Sequence, residues 1–245
     1  MGKMLKILSI DWDYFPNCDT KTRIRHFPDG NNENVPEIID TISWAMHYAT
    51  YPKLKNIGVR EAEYQYLIEL FKTISGNENI QMYFSNIHKL AYHVIKDAIE
   101  DNPNITAMQV INIDYHHDLY DFTPDFVDSG NWIMRLDKDL PPNIYKEYIW
   151  IANPDSDFDT WNKSKLEHKQ IFHPPFIHPL CDVIGDDFDI IYISKSSVWS
   201  PPHLDKYLVD LISILNPDIS ERVGDRYTSD FLELVSSERK LYLRL

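Results

Sequence analysis

The chain has 245 residues, 43% of them hydrophobic, enough to bury one sizeable core, so residues 1–245 are expected to form a single α/β domain. Its formal net charge of −14, from 24 Lys and Arg against 38 Asp and Glu, argues against nucleic acid as a partner, because phosphate contacts need clustered basic side chains. The two cysteines, Cys18 and Cys181, build neither a disulfide scaffold nor a Cys-rich zinc module, and the N-terminal stretch carries Asp11, Asp13 and Asp19 without a long apolar run. A cytoplasmic protein with no signal peptide and no membrane partner is expected.

Leu5, Ile7, Leu8 and Ile10 read as a short strand covered on both faces that runs into Asp11-Trp12-Asp13. Two carboxylates then stand at a strand's C-terminal end, the edge where open parallel α/β sheets bind ligands. Asp also caps helices and starts turns, so the pair has a structural reading as well. Residues 16–38, rich in Pro, Asn and Asp, predict a long loop beside that edge. Helices follow at 37–49 and 59–74, the second with Tyr64, Leu67, Ile68 and Phe71 on one face and Glu61 and Glu63 in its first turn.

Ile80 to Phe84 predicts another strand, and Leu90, Ala91, Val94, Ile95 and Ala98 recur at helical spacing behind it. His88 falls at the strand-to-helix junction, where a lone imidazole is more often a satisfied core group than a ligand. The apolar stretch Met108 to Ile113 then opens into Asp114-Tyr115-His116-His117-Asp118. Residues at i, i+2 and i+4 can converge as a strand opens into a loop, and carboxylate oxygen mixed with imidazole nitrogen suits Mn, Fe, Co or Zn. Tyr115, between two ligands, should point away. Clustered carboxylates repel unless cations hold them, so Asp11, Asp13, His88, Asp114, His116 and Asp118 form one candidate metal set.

Tyr148 to Ala152 and Ile190 to Ser194 are further strands, stopped by Asn153-Pro154-Asp155 and Ser200-Pro201-Pro202 on the same edge, and Leu204 to Leu215 is a helix. The alternation of β and α predicts three layers, a mainly parallel sheet with helices on both faces. Trp12, Trp132, Trp150 and Trp199 lie at or near strand ends, where they either pack the core or line a pocket for an aliphatic or guanidinium side chain. His173, His178 and His203 sit in Pro-rich segments and read as exposed loop residues, not ligands.

The set Asp114-x-His116-x-Asp118, the strand-end pair Asp11-x-Asp13 and His88 at a helix start resemble the binuclear manganese site of the arginase and agmatinase superfamily, whose fold also serves metal-dependent deacetylases. Ser129-Gly130-Asn131 strengthens the likeness, since arginases carry Ser-Gly-Asn, contacting substrate, shortly after their Asp-x-His-x-Asp. In common arginases the Asp-x-Asp strand comes late; here it comes first, implying a rearranged strand order. That order, with Ile10 to Phe15 and Gly130-Asn131-Trp132, is similar to arginase-like peptide arginases, which convert arginine side chains within peptides to ornithine. The likeness spans residues 7 to about 133 and extends to Ser194 to Pro202.

The resemblance implies two Mn2+, other divalent transition metals being compatible. His88, Asp114, Asp118 and Asp11 would hold one ion, and Asp114, His116, Asp11 and Asp13 the other. Asp118 would also move a proton to the leaving amine, and Ser129, Gly130, Asn131 and Trp132 would bind substrate. Where arginases place a proton-shuttling His, this chain has Ile133, so His117 or solvent would take that part. The Glu that pairs with the guanidinium in arginases has no identified counterpart. The partner implied is an arginine-containing peptide; a homo-oligomer stays open. Two other readings remain: a deacetylase-type amide hydrolase, which needs one metal and leaves His88 and Asp13 unexplained, and a non-catalytic metal-containing binding module.

Overall fold

The computed structural model describes residues 2–28, 37–120, 126–163, 166–172 and 184–215. Strand β1 (Lys3–Asp11) is buried from Ile7 to Asp11 without a break, because both its faces are covered. Ile7, Leu8 and Ile10 are fully buried, each contributing about 1.5–3 kcal/mol. With β2 (Gln81–Ser85), β3 (Ile105–Asp114), β4 (Tyr145–Ala152), β5 (Lys169–Phe172) and β6 (Ile190–Ser194), it forms a six-stranded sheet of order β2-β6-β1-β3-β4-β5. All five pairings are parallel, so the sheet among the described residues is wholly rather than mainly parallel.

The described helices are α1 (Thr20–His26), α2 (Glu37–Thr50), α3 (Glu61–Ile74), α4 (Leu90–Glu100), α5 (Trp132–Asp139), α6 (Phe158–Lys163) and α7 (Asp205–Leu215). Leu8, Ile10, Ile111 and Ile193 on one face of the sheet pack with Leu67 and Phe71 of α3 and Leu208 and Leu211 of α7. Ile7, Val110, Tyr148 and Tyr192 on the other pack with Ala91 and Ile95 of α4 and Trp132 and Leu136 of α5. These are the three layers expected from the alternation of elements. No described helix is long and apolar enough to cross a membrane.

Strand order positions the site. From β1 the chain passes to β2 at one edge, and from β3 it passes to β4 on the opposite side. The connections leaving β1 and β3 diverge, and a crevice outside their C-terminal ends is the usual consequence. Register then aligns the residues that face it: Ser85 pairs with Ser194, Ser194 with Asp11, and Ile10 with Ile113, one step before Asp114.

One local expectation is corrected. Residues 16–38 contain helix α1, whose N-cap Asp19 accepts from the backbone N–H of Thr22. Its one buried residue is Arg23, so no apolar period announces it; residues 29–36 lie outside the described residues. Helices α5 and α6 and strand β5 are also additions to the expected elements, and each is too short to carry a strong period.

Candidate metal centre

Two residues that end neighbouring strands begin the site. Asp11 closes β1 and Asp114 closes β3, and both are buried. His88, from the turn before α4, places Nδ1 3.1 Å from Asp11 Oδ2, 3.2 Å from Asp114 Oδ2 and 3.2 Å from Asp118 Oδ2. That nitrogen is buried and makes no hydrogen bond. On the other side of Asp114, His116 Nδ1 lies 2.8 Å from Asp13 Oδ2, which is likewise buried without a hydrogen bond. Asp11, His88 and Asp114 form one group able to hold a metal ion, and Asp13, Asp114 and His116 form another. The imidazole nitrogens face these carboxylates at ion-pair distance, and imidazole nitrogen converging with carboxylate oxygen is the donor set that a divalent cation takes.

Local structure explains how the candidate ligands arrive. After β1 the chain turns through a 3-10 turn at Trp12–Tyr14, and the Asp13 N–H donates to Asp11 Oδ1 at 3.2 Å. The His116 N–H donates to Asp114 Oδ1 at 2.7 Å. Asp118 has φ 54°, a left-handed conformation that Asp tolerates better than most residues. It therefore reaches the cluster through a turn, not through simple strand alternation. Tyr115 points away as expected, its hydroxyl donating to Asp155 O at 3.0 Å beneath the Arg23 guanidinium, 4.1 Å from its ring.

Beneath the candidate ligands runs a second polar row. Ser9 and Asn112 pair in register, two residues before Asp11 and Asp114. Ser9 Oγ lies 2.7 Å from His88 Nε2, which fixes the ring so that Nδ1 faces the carboxylates. The Asn112 amide donates to Asp114 Oδ2 at 3.1 Å and to Asp118 Oδ2 at 3.4 Å. Ser196, itself left-handed at φ 45°, donates to Asp11 Oδ2 at 2.7 Å. These supports were not identified from sequence, yet a signal existed: Ser9 and Asn112 are polar residues just after the apolar stretches of β1 and β3, inside the runs Ile7 to Asp11 and Val110 to Asp114 that are buried without a break.

Four carboxylates this close do not all ionise freely. Burial, then the Asp13 charge, pushes Asp11 up to about 7. Burial and the Asp114 charge likewise raise Asp13 and Asp118. Asp114 is the exception: burial would raise it, but the His88 and His116 imidazoles hold it below the usual carboxylate range. Burial opposes charge on His116 too, yet the Asp13 carboxylate outweighs it and lifts the ring to about 9. His88 is raised in the same way by Asp11 and Asp118.

His117, the residue suggested as a proton shuttle, is buried beside this cluster and engaged with its own surroundings. Its Nδ1 accepts from the Leu119 N–H at 3.0 Å, and its ring packs on Tyr120, Trp150 and Trp161. Burial, helped by the neighbouring His116, pushes it down to about 4. Ile133 is buried core.

The 129–132 segment is engaged with the protein itself. Ser129 Oγ accepts from the Lys89 N–H at 3.2 Å, and the Gly130 N–H donates to Asp128 Oδ1 at 3.0 Å. The Asn131 amide accepts from the Asp128 N–H and donates to Phe126 O, while Trp132 Nε1 donates to Asp118 Oδ2 at 2.5 Å. His203 is half-buried rather than exposed, because its ring bridges the Tyr48 hydroxyl at 2.6 Å and Ile57 O at 2.7 Å. His173, His178 and Cys181 lie outside the described residues; Cys18 is a free, half-buried thiol. Comparison of the chain with protein-family models, curated proteins and solved structures finds no match.

Proposed function

We propose that the protein is a metal-dependent hydrolase of guanidino groups, a peptide arginase-like enzyme that converts arginine side chains of a peptide to ornithine with release of urea. The observation that carries this reading is the pair of buried donor groups sharing Asp114. The likeness of Asp11-x-Asp13, His88 and Asp114-x-His116-x-Asp118 to the arginase site supplies the reaction. Asp11, His88, Asp114 and Asp118 would hold one Mn2+, and Asp11, Asp13, Asp114 and His116 a second. When bound, such ions supply Lewis acidity and lower the pKa of water towards neutrality.

The chain's own groups do the rest. Ser9 and Asn112 lock His88, Asp114 and Asp118 in position, so little reorganisation accompanies reaction. Asp118 receives a proton from the attacking water and delivers it to the side-chain nitrogen as the bond from that nitrogen to the guanidinium carbon breaks. Water is consumed, and urea and the amine leave.

The test is incubation of the purified chain with manganese and a capped arginine peptide, with urea and the ornithine peptide as readouts. Both products together support the reading. Their absence from a protein carrying manganese overturns it, and release of acetate from an acetylated amine would favour the amide hydrolase.

A further inference from the structure

Of the four tryptophans near strand ends, Trp12, Trp132 and Trp150 are at most 1% exposed, whereas Trp199 is half-buried. It also stands where the metal centre reaches the surface. Asp11, Asp13, His88, Asp114 and Asp118 are buried, and the His116 side chain alone among the ligands keeps 23% exposure. The Trp199 and His116 rings meet edge to face, centroids 5.1 Å apart. A molecule approaching the donor groups past His116 therefore meets the indole.

The segment carrying this indole is held on several sides. The Trp199 N–H donates to Ser196 O at 2.9 Å, and the Ser196 hydroxyl donates to Asp11, which gears the turn to the metal centre. Ser197 donates to Asp40 of α2 at 2.5 Å, and its carbonyl accepts from Trp44 Nε1 at 2.8 Å. Beyond it, His203 is bound by Tyr48 and Ile57. The indole itself packs against the cluster of Phe27, Trp44, Tyr48 and Leu54. Helix α2, Phe27 at the end of α1 and Leu54 thus buttress one aromatic side chain at the mouth of the site, and a preorganised ring binds at low entropic cost.

We propose that Trp199 is the specificity-determining residue of this site, a wall that takes the methylenes and planar cation of an unbranched guanidino side chain. The proposal rests on the guanidine-hydrolase reading and deepens it. An indole face suits such a group twice over, by apolar contact along the stem and by cation–π attraction at the guanidinium. The acidic surface favours the same cationic substrate.

The experiment compares manganese-loaded wild type, Trp199→Phe and Trp199→Leu. It measures manganese content, kcat and KM for urea release from a capped arginine peptide, and the dissociation constants of the arginine and ornithine peptides. With metal content unchanged, Trp199→Leu should raise KM and both dissociation constants about tenfold or more while kcat stays within about threefold, and Trp199→Phe should recover most of the loss. Wild-type affinity and KM in Trp199→Leu overturn the proposal while urea release leaves the hydrolase reading standing. If the wild type releases no urea, the hydrolase reading fails by itself, and Trp199 is judged on arginine-peptide affinity: equal affinity in wild type and Trp199→Leu overturns it. Loss of manganese from both variants also overturns it, since the ring would then serve the ligands rather than the substrate.

Discussion

Trp132 and Asp118 are joined by a hydrogen bond of 2.5 Å, indole Nε1 to carboxylate Oδ2, in a fully desolvated setting. The same indole lies 5.2 Å from the His88 ring, so one side chain touches two proposed ligands. Because Asp118 sits in a left-handed conformation that its turn must impose, its carboxylate depends on such anchors for direction. Trp132→Phe keeps much of the packing and removes the donor. Manganese affinity should fall about 10–100-fold, the usual cost of losing a partner that orients a ligand. Isothermal titration with a parallel melting curve separates this from unfolding: a folded variant with wild-type affinity would show that the indole serves packing alone.

Asp114 belongs to both donor groups, whereas His88 belongs to one. Asp114→Ala should therefore abolish binding of both ions and His88→Ala should empty mainly one. Elemental analysis after manganese loading should approach two ions per chain in the wild type. A ceiling of one ion in wild type at excess manganese would count against the binuclear assignment and favour the deacetylase-type reading.

How much of this was legible in the sequence depends on the range of each signal. β1 and β3 announce themselves because a strand covered on both faces needs a continuous apolar run, and their last residues are the carboxylates that the register brings together. Helix α1 was hidden because the residue it buries is Arg23, and its cap Asp19 reads equally well as a turn residue. Asp118 was legible as a ligand type but not as a left-handed residue, since nothing local specifies φ at a non-glycine position. His117 has the composition of a site residue and the placement of a core one; only the packing of Tyr120, Trp150 and Trp161, up to 44 positions away in the chain, distinguishes the two. The Ser196 to Asp11 bond spans 185 positions and has no local signature.

The stability of the metal-free protein should fall as pH rises. Asp11, raised to about 7, keeps a proton in the folded state that the unfolded chain releases near its ordinary value of 3.8, so folding weakens as pH rises through that interval. His116, raised to about 9, adds stability that is complete below 6.5 and is lost as pH rises through its folded value. Asp114 acts oppositely, since its depressed carboxyl contributes above the ordinary value and loses that contribution as acid protonates it. Melting temperatures in a chelator should decline from about pH 5 to pH 9, while added manganese should stabilise increasingly over the same range, because ligands must be deprotonated to bind. A metal-free melting temperature that climbs with pH would contradict the charge assignment.

Preference for peptide over free arginine is the last expected outcome. An enzyme for the free amino acid must pair its α-carboxylate and α-amino groups, yet Leu119 to Phe126, following the Asp114 to Asp118 motif, contains three aromatic residues and no basic one. Asp121 to Asp125 lie outside the described residues; at the flanks, Tyr120 is half-buried against His117 and Phe126 is 59% exposed. An exposed aromatic group suits the backbone and neighbouring side chains of a peptide better than a zwitterion. An internal arginine should therefore react with kcat/KM at least about 100-fold above free arginine, or roughly 2.7 kcal/mol of differential transition-state binding. Phe126→Ser should erode that ratio by raising KM for the peptide alone. Equal rates for the two substrates would remove the peptide assignment and leave guanidine hydrolysis intact, and agmatine reacting fastest would point to a small amine instead.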